Sequence, residues 1–170
     1  MSTHPVIIRP ACPADATIIA EYNIALARET ESKELDPVVV SRGVAALLAE
    51  EHRGRYFVAC DADRVVGQLM HTREWSDWRN GDIWWLQSVY VTPEYRGRGV
   101  FRGLLAHLTE LASSTPRVVG LRLYVESHNE TAKRAYQKSG FTPGGYEVFE
   151  RWTPPRQAAP PDDREPRPPS

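Results

Sequence analysis

Two short runs carry most of the chemistry in this chain: Gln87–Leu105 (QSVYVTPEYRGRGVFRGLL) and Asn129–Phe141 (NETAKRAYQKSGF). In the first, an apolar stretch runs into Pro93, then Arg96-Gly97-Arg98-Gly99, then residues of helical periodicity. Glycine permits φ > 0 and lets a ligand approach the backbone. The opening N–H groups of a helix have no intrahelical partner and carry the positive end of its dipole. A strand–glycine turn–helix junction is therefore a cradle of donors suited to a diphosphate. Arg96, Arg98 and Arg102 add positive charge around it. A P-loop, GxxxxGK followed by Ser or Thr, is absent, and the glycines at 97, 99 and 103 miss GxGxxG spacing by one position. On these residues alone, a dinucleotide-binding domain, another phosphate ligand and a merely solvated turn all stay open.

The surrounding pattern supplies the elements that must position this turn. Val6–Arg9 reads as a strand, Asp15–Ala27 and Pro37–Glu51 as helices separated by a polar break, and Tyr56–Cys60 with Val65–Thr72 as a hairpin. Glu74–Gly81 reads as a loop and Asp82–Thr92 as a long apolar strand. Arg98–Ser113 is a helix with Val100, Leu104, Leu108 and Leu111 on one side, followed by a strand over Val118–Val125. His128–Ser139 is a helix that Gly140 terminates, and Tyr146–Trp152 a last strand. The order predicts a mixed α/β sheet covered by helices on both faces. The strand–helix–strand crossover predicts a central parallel pair.

Taken together, the two runs and this element order resemble the GNAT superfamily of acetyl-CoA-dependent N-acetyltransferases, from Val6 to Trp152. The resemblance implies an α/β acyl-CoA N-acyltransferase fold: a mixed, mostly antiparallel sheet with a central, splayed parallel strand pair. It also implies acetyl-CoA as co-substrate. Val89, Tyr90 and Val91 would pair with the pantetheine arm. Backbone donors of Arg96, Gly97, Arg98, Gly99, Val100, Phe101 and Arg102 would hold the diphosphate. Phe101 departs from the family pattern, which has a small residue there. Asn129 matches the residue near the pantetheine arm, a role compatible with the N-cap that asparagine favours. Tyr136 matches the general acid, and a phenol with a pKa near ~10 can donate a proton to a departing thiolate. Direct attack of a primary amine in a ternary complex is the implied route. Gln87 stands where many relatives carry a glutamate base, and an amide cannot take that role. Glu29, Glu31, Glu74, Asp82, Glu126, Glu147 and Glu150 remain as acids, with Glu29 and Glu31 in the polar break expected to meet a cationic amine. Trp75, Trp78, Trp84 and Trp85 crowd one hairpin. Strand alternation sends Trp84 and Trp85 to opposite faces, and Trp84, with Gln87, is taken as the acceptor-lining residue. A non-catalytic acyl-CoA-binding or regulatory module of the same fold is the alternative.

Composition narrows the remaining classes. Among 170 residues, 21 Lys and Arg face 22 Asp and Glu, a net charge of -1. That balance gives no footprint for nucleic-acid binding. No run approaches the ~18 apolar residues of a membrane span. The first residues lack the basic and apolar segments of a secretory leader, so a cytoplasmic setting is expected. Two cysteines and five scattered histidines indicate neither a disulfide framework nor a metal site. Seven of the 14 prolines fall within Thr153–Ser170, which is expected to be a disordered tail behind a 1–152 domain. The expected partner is a small-molecule or peptide amine, with a homodimer implied by the habits of the family.

Overall fold

The computed structural model describes residues 5–153. The expected tail therefore lies, apart from Thr153, outside the described residues. The elements in chain order are β1 (Ile7–Pro10), α1 (Ala16–Glu31), α2 (Pro37–Ala49), β2 (Gly54–Asp61), β3 (Arg64–Ser76), β4 (Gly81–Val91), α3 (Val100–Ser114), β5 (Val118–Leu123) and α4 (Glu130–Lys138). The strands form one sheet in the order β1-β2-β3-β4-β5. The first three pairings are antiparallel, and β4–β5 is the parallel pair expected from the crossover.

Helices cover both faces, so β2 is buried on both of its sides. Phe57 and Ala59 join Leu69, Trp84, Leu86, Leu104, Leu105 and Leu108 in a core under α3. Tyr56, Val58 and Cys60 face the other way, with Ile19, Tyr22, Val44, Met70 and Tyr90, under α1 and α2. Strict alternation thus splits one strand between two cores. Each fully buried leucine contributes roughly 1.5–3 kcal/mol, and Leu69, Leu104 and Leu108 are all at 0% exposure.

Three boundaries differ from expectation, each for a physical reason. The helix α1 runs on through Arg28–Glu31 and stops only at Ser32, whose φ of 53° is left-handed. Arginine and glutamate are good helix formers, so polarity alone did not break the helix. Glu29 and Glu31 therefore sit in its last turn rather than in a loop. The strand β3 extends to Ser76, because Arg73, Glu74, Trp75 and Ser76 pair with Trp84, Ile83, Asp82 and Gly81 across the hairpin. The expected strand over 146–152 is not formed. Residues 144–145 are glycines, and Tyr146, Phe149 and Trp152 are more than four-fifths exposed. An alternating pattern supplies no hydrogen-bond partner by itself, so β5 is the outer strand of the described sheet.

The start of α1 is fixed to β1 by charge. Arg9 donates to both oxygens of Asp15, at 2.7 and 2.9 Å, and the Cys12 N–H donates to the same carboxylate at 2.8 Å. The Arg9 hydrogen bonds hold the Asp15 carboxyl below its ordinary value, at about 2. A carboxyl with a depressed folded-state pKa stabilises above its unfolded pKa and loses that contribution as pH falls. Asp15→Asn is expected to cost about 1–3 kcal/mol at neutral pH, with the gap to wild type closing between about pH 4 and pH 2. Urea midpoints across that range measure it, and a gap that widens on acidification would contradict the assignment.

Candidate active site

The site begins with a break in pairing. The strands β4 and β5 pair from Asp82↔Val118 to Leu86↔Leu123, with one register shift between Asp82 and Ile83. Past Leu86, β4 continues to Val91 while remaining paired with β3 through Gln68↔Tyr90 and Gly67↔Val91. The β5-facing backbone of residues 87–91 therefore has no strand partner among the described residues. The cause is a bulge. The register shifts between Gln68 and Met70, and Ser88 takes a left-handed φ of 49°. A bulge bends its strand and locally disrupts the ladder.

Buried polar side chains hold that bulge. Gln68, at 0% exposure, donates from Nε2 to the Ser88 carbonyl at 3.3 Å and to Asn23 Oδ1 at 2.7 Å. Asn23 in turn donates to the Tyr56 hydroxyl at 2.9 Å. A relay of hydrogen bonds through one residue each of β2, α1 and β3 thus ends on a single distorted peptide of β4.

The splayed strand leads directly into the glycine turn. One 3-10 turn (Pro93–Tyr95) precedes Arg96, and α3 starts at Val100. Gly97 and Gly99 have φ of 73° and 84°. Gly99 occupies the N-cap position of α3 without any side-chain cap, so the first N–H groups of the helix remain free to donate to a ligand. Tyr95 is pinned by its hydroxyl, which donates to Asp61, and Arg98 lies 5.2 Å over the Tyr95 ring. An open cleft of 560 Å³ runs along Val91 and Tyr95–Arg102.

Phe101 lines this cleft and also reaches α4. Its ring meets Tyr136 edge-on at 5.6 Å, and Tyr136 meets Phe141 at 5.8 Å. Burial pushes the Tyr136 phenol pKa up, so it stays protonated well above neutral pH. Asn129 caps α4 by accepting from the Ala132 N–H at 2.9 Å. Gly140, with φ of 89°, ends the last turn.

The acceptor side departs from expectation at three residues. Trp84 does not line a cleft: it is 4% exposed and stacks on His71 at 4.0 Å beneath α3. Burial also pushes His71 down to about 4, so this stack is uncharged at neutral pH. Trp85 is the ring on the opposite face. It donates to Glu74, lies 4.3 Å from Tyr124 and carries the Arg122 guanidinium 5.3 Å above it. Gln87, two residues on, donates to Thr72 Oγ1 at 2.8 Å. The carboxylates of Glu29 and Glu31 do not form an open acidic pair. Glu29 accepts from Arg96 at 2.6 Å and from the Tyr90 hydroxyl at 3.1 Å, whereas Glu31 accepts from Lys33 at 2.5 Å. The i, i+2 spacing of Trp85 and Gln87 did carry a signal that they share a face. The approach of Arg122 and Tyr124 needs the β4–β5 register, which local sequence does not contain. No cluster of metal-binding side chains occurs among the described residues, and no helix there is long and apolar enough to cross a membrane.

The family model described as "Acetyltransferase (GNAT) family" matches residues 19–141, which includes the bulge, the glycine turn and α4. The chain belongs to this family. A crystal structure of a possible acetyltransferase from Clostridium difficile 630 is 43% identical and superimposes with a TM-score of 0.83, covering 88% of this chain and 99% of that one. Among curated relatives, a streptothricin acetyltransferase of Escherichia coli is 29% identical over 85 residues, or 50% of this chain and 45% of that protein. An aminoglycoside N(6')-acetyltransferase type 1 of Stenotrophomonas maltophilia is 33% identical over 103 residues, or 58% of this chain and 62% of that protein. The matches thus span about half to three-fifths of those curated relatives. Within the GNAT frame, the glycine turn needs its glycines for conformation rather than space. A Cβ on Gly97 would meet no atom within 4 Å, yet its φ is left-handed. Gly97→Ala is therefore expected to lose roughly 1–2 kcal/mol of stability, read by thermal or urea unfolding. Unchanged stability would mean that the turn relaxes at no cost.

Proposed function

We propose that the protein is an N-acetyltransferase that moves acetyl from acetyl-CoA to a primary amine by direct attack in a ternary complex. The observation that supports this most is the continuity between the opening of β4 past Leu86 and the glycine turn at the start of α3. The unpaired strand edge suits the amide-bearing pantetheine arm, and the free helix N–H groups suit a diphosphate. The residues present therefore fit acetyl-CoA as co-substrate. Val89, Tyr90 and Val91 provide the edge, Arg96–Arg102 the anion cradle, and Asn129 the capped start of α4.

The amine nitrogen forms a bond to the thioester carbonyl carbon as the carbon–sulfur bond breaks. Tyr136 gives its phenolic proton to the departing sulfur, and the proton lost by the amine passes through water to restore the phenol. Gln87 cannot take that proton, but its hydrogen bond to Thr72 keeps a polar wall beside the opening. A positioned general acid contributes typically ~10²–10⁴-fold. The names of the curated relatives favour a small-molecule amine over a peptide, and Trp85 with Tyr124 supplies an aromatic floor for it. Gln87 in place of an acid is the one feature favouring a non-catalytic acyl-CoA-binding module.

Thiol release from acetyl-CoA across a panel of aminoglycosides, streptothricin, polyamines, amino acids and peptides tests the reading. CoA binding without release on any of them would favour the non-catalytic module. Tyr136→Phe is expected to lower turnover by about 10²-fold or more with acetyl-CoA affinity nearly unchanged. A large affinity loss would remove the acid role.

A further inference from the structure

Glu29 and Arg96 join the two halves of the site. Glu29 lies in the last turn of α1, where the helix dipole is negative and a carboxylate is disfavoured. Its two oxygens are both engaged, one by Arg96 Nη2 at 2.6 Å and the other by the Tyr90 hydroxyl at 3.1 Å. Arg96 is the first residue of the phosphate turn. Its Nε donates to the Val91 carbonyl at 2.9 Å, at the end of the splayed strand, and its guanidinium lies 5.5 Å over the Tyr90 ring. Tyr90 is itself fixed, buried and 5.0 Å from the Tyr22 ring. Glu29 thus occupies, with a carboxylate, the arginine that a diphosphate on the turn would also seek.

We infer that this ion pair is an exchange device: the cofactor's diphosphate draws Arg96 off Glu29, and the released carboxylate then receives a cation-bearing amine acceptor. This rests on the acetyl-CoA reading above. The exchange is inexpensive, because both side chains are about half exposed (48% and 40%) and water screens such a pair so that it contributes little. The anchor at Val91 leaves the far end of Arg96 free to turn toward the phosphates. The Tyr90 hydroxyl keeps the carboxylate aimed after Arg96 leaves. At the negative end of α1, the freed carboxylate favours a replacement cation, which an ammonium group supplies. Cofactor and acceptor then bind with positive coupling, and by linkage each raises the affinity of the other.

Calorimetric titration with CoA separates this from a purely structural pair. Glu29→Gln is expected to bind CoA about three- to fivefold more tightly than wild type, the upper end of what an exposed pair is worth. Arg96→Gln is expected to bind more weakly, and Glu29→Gln added to it is expected to change nothing further. If Glu29→Gln binds CoA equally or less well, Glu29 merely holds Arg96 in place and the inference fails. If the tightening persists in the Arg96→Gln background, it is general charge removal and the inference also fails. With an acceptor from the panel and saturating acetyl-CoA, Glu29→Gln is expected to raise the acceptor KM at least fivefold with kcat within threefold. A fall in kcat at constant KM would overturn the acceptor half. Wild type that binds no CoA would instead overturn the acetyl-CoA reading itself.

Discussion

The peptide at Ser88 is where the architecture of the site originates. A sheet left to its own hydrogen bonding would keep β4 and β5 zipped to their ends, because every paired N–H and C=O is one fewer group to be satisfied elsewhere. Inserting one residue into β4 opposite Leu69 makes that impossible. The left-handed φ at a non-glycine residue carries strain. The strain is held by Gln68, whose amide is buried and reaches both the bulged carbonyl and Asn23. The cleft is therefore a consequence of a polar side chain placed in an otherwise apolar layer. The core under α1 and α2 tolerates it because Asn23 and Tyr56 continue the hydrogen bonding. Replacing Gln68 by an apolar residue of similar size would leave the Ser88 carbonyl and Asn23 Oδ1 without the donor they share.

Electrostatics in this chain is local and mutual. The net charge of -1 conceals a set of short-range pairings: Arg28 with Glu34, Lys33 with Glu31, and Arg96 with Glu29. The acids at the end of α1 are consequently not an open anionic field. Two of these three pairs join residues within a few positions of one another at the end of α1. The third spans from α1 to the phosphate turn and is the only one of the three that reaches the cleft.

Much of this was legible in the sequence because it depends on local chemistry. The glycine turn, the asparagine cap of α4, the Gly140 terminator and the crossover unit are each set by a few adjacent residues whose backbone preferences are strong. The fold class followed from their order. Three features were not legible. The continuation of α1 through Arg28–Glu31 was hidden because polar residues can form either a loop or an exposed helix turn. The choice between Trp84 and Trp85 depended on which face α3 covers, which alternation alone leaves undecided. The pairing of Glu29 with Arg96 joins residues 67 positions apart, and no local pattern encodes it. The segment 146–152 shows the opposite error, since strand-forming residues are insufficient when no partner strand accepts them.

The meander β2–β3–β4 is closed by two short turns, at residues 62–63 and 77–80, whereas β1 and β5 each join across a helical excursion. Short loops close at low entropic cost and their contacts form early. The bulge belongs to the β3–β4 hairpin, inside this early-forming part. The order of assembly expected from the topology therefore bends β4 before β5 arrives. The incoming strand then meets a partner whose far half already faces away. Pulsed hydrogen exchange during refolding would read this order as early protection of β3–β4 amides and late protection of β5. On this account the opening between the strands is inherited from a local hairpin, and the docking of β5 only reveals it.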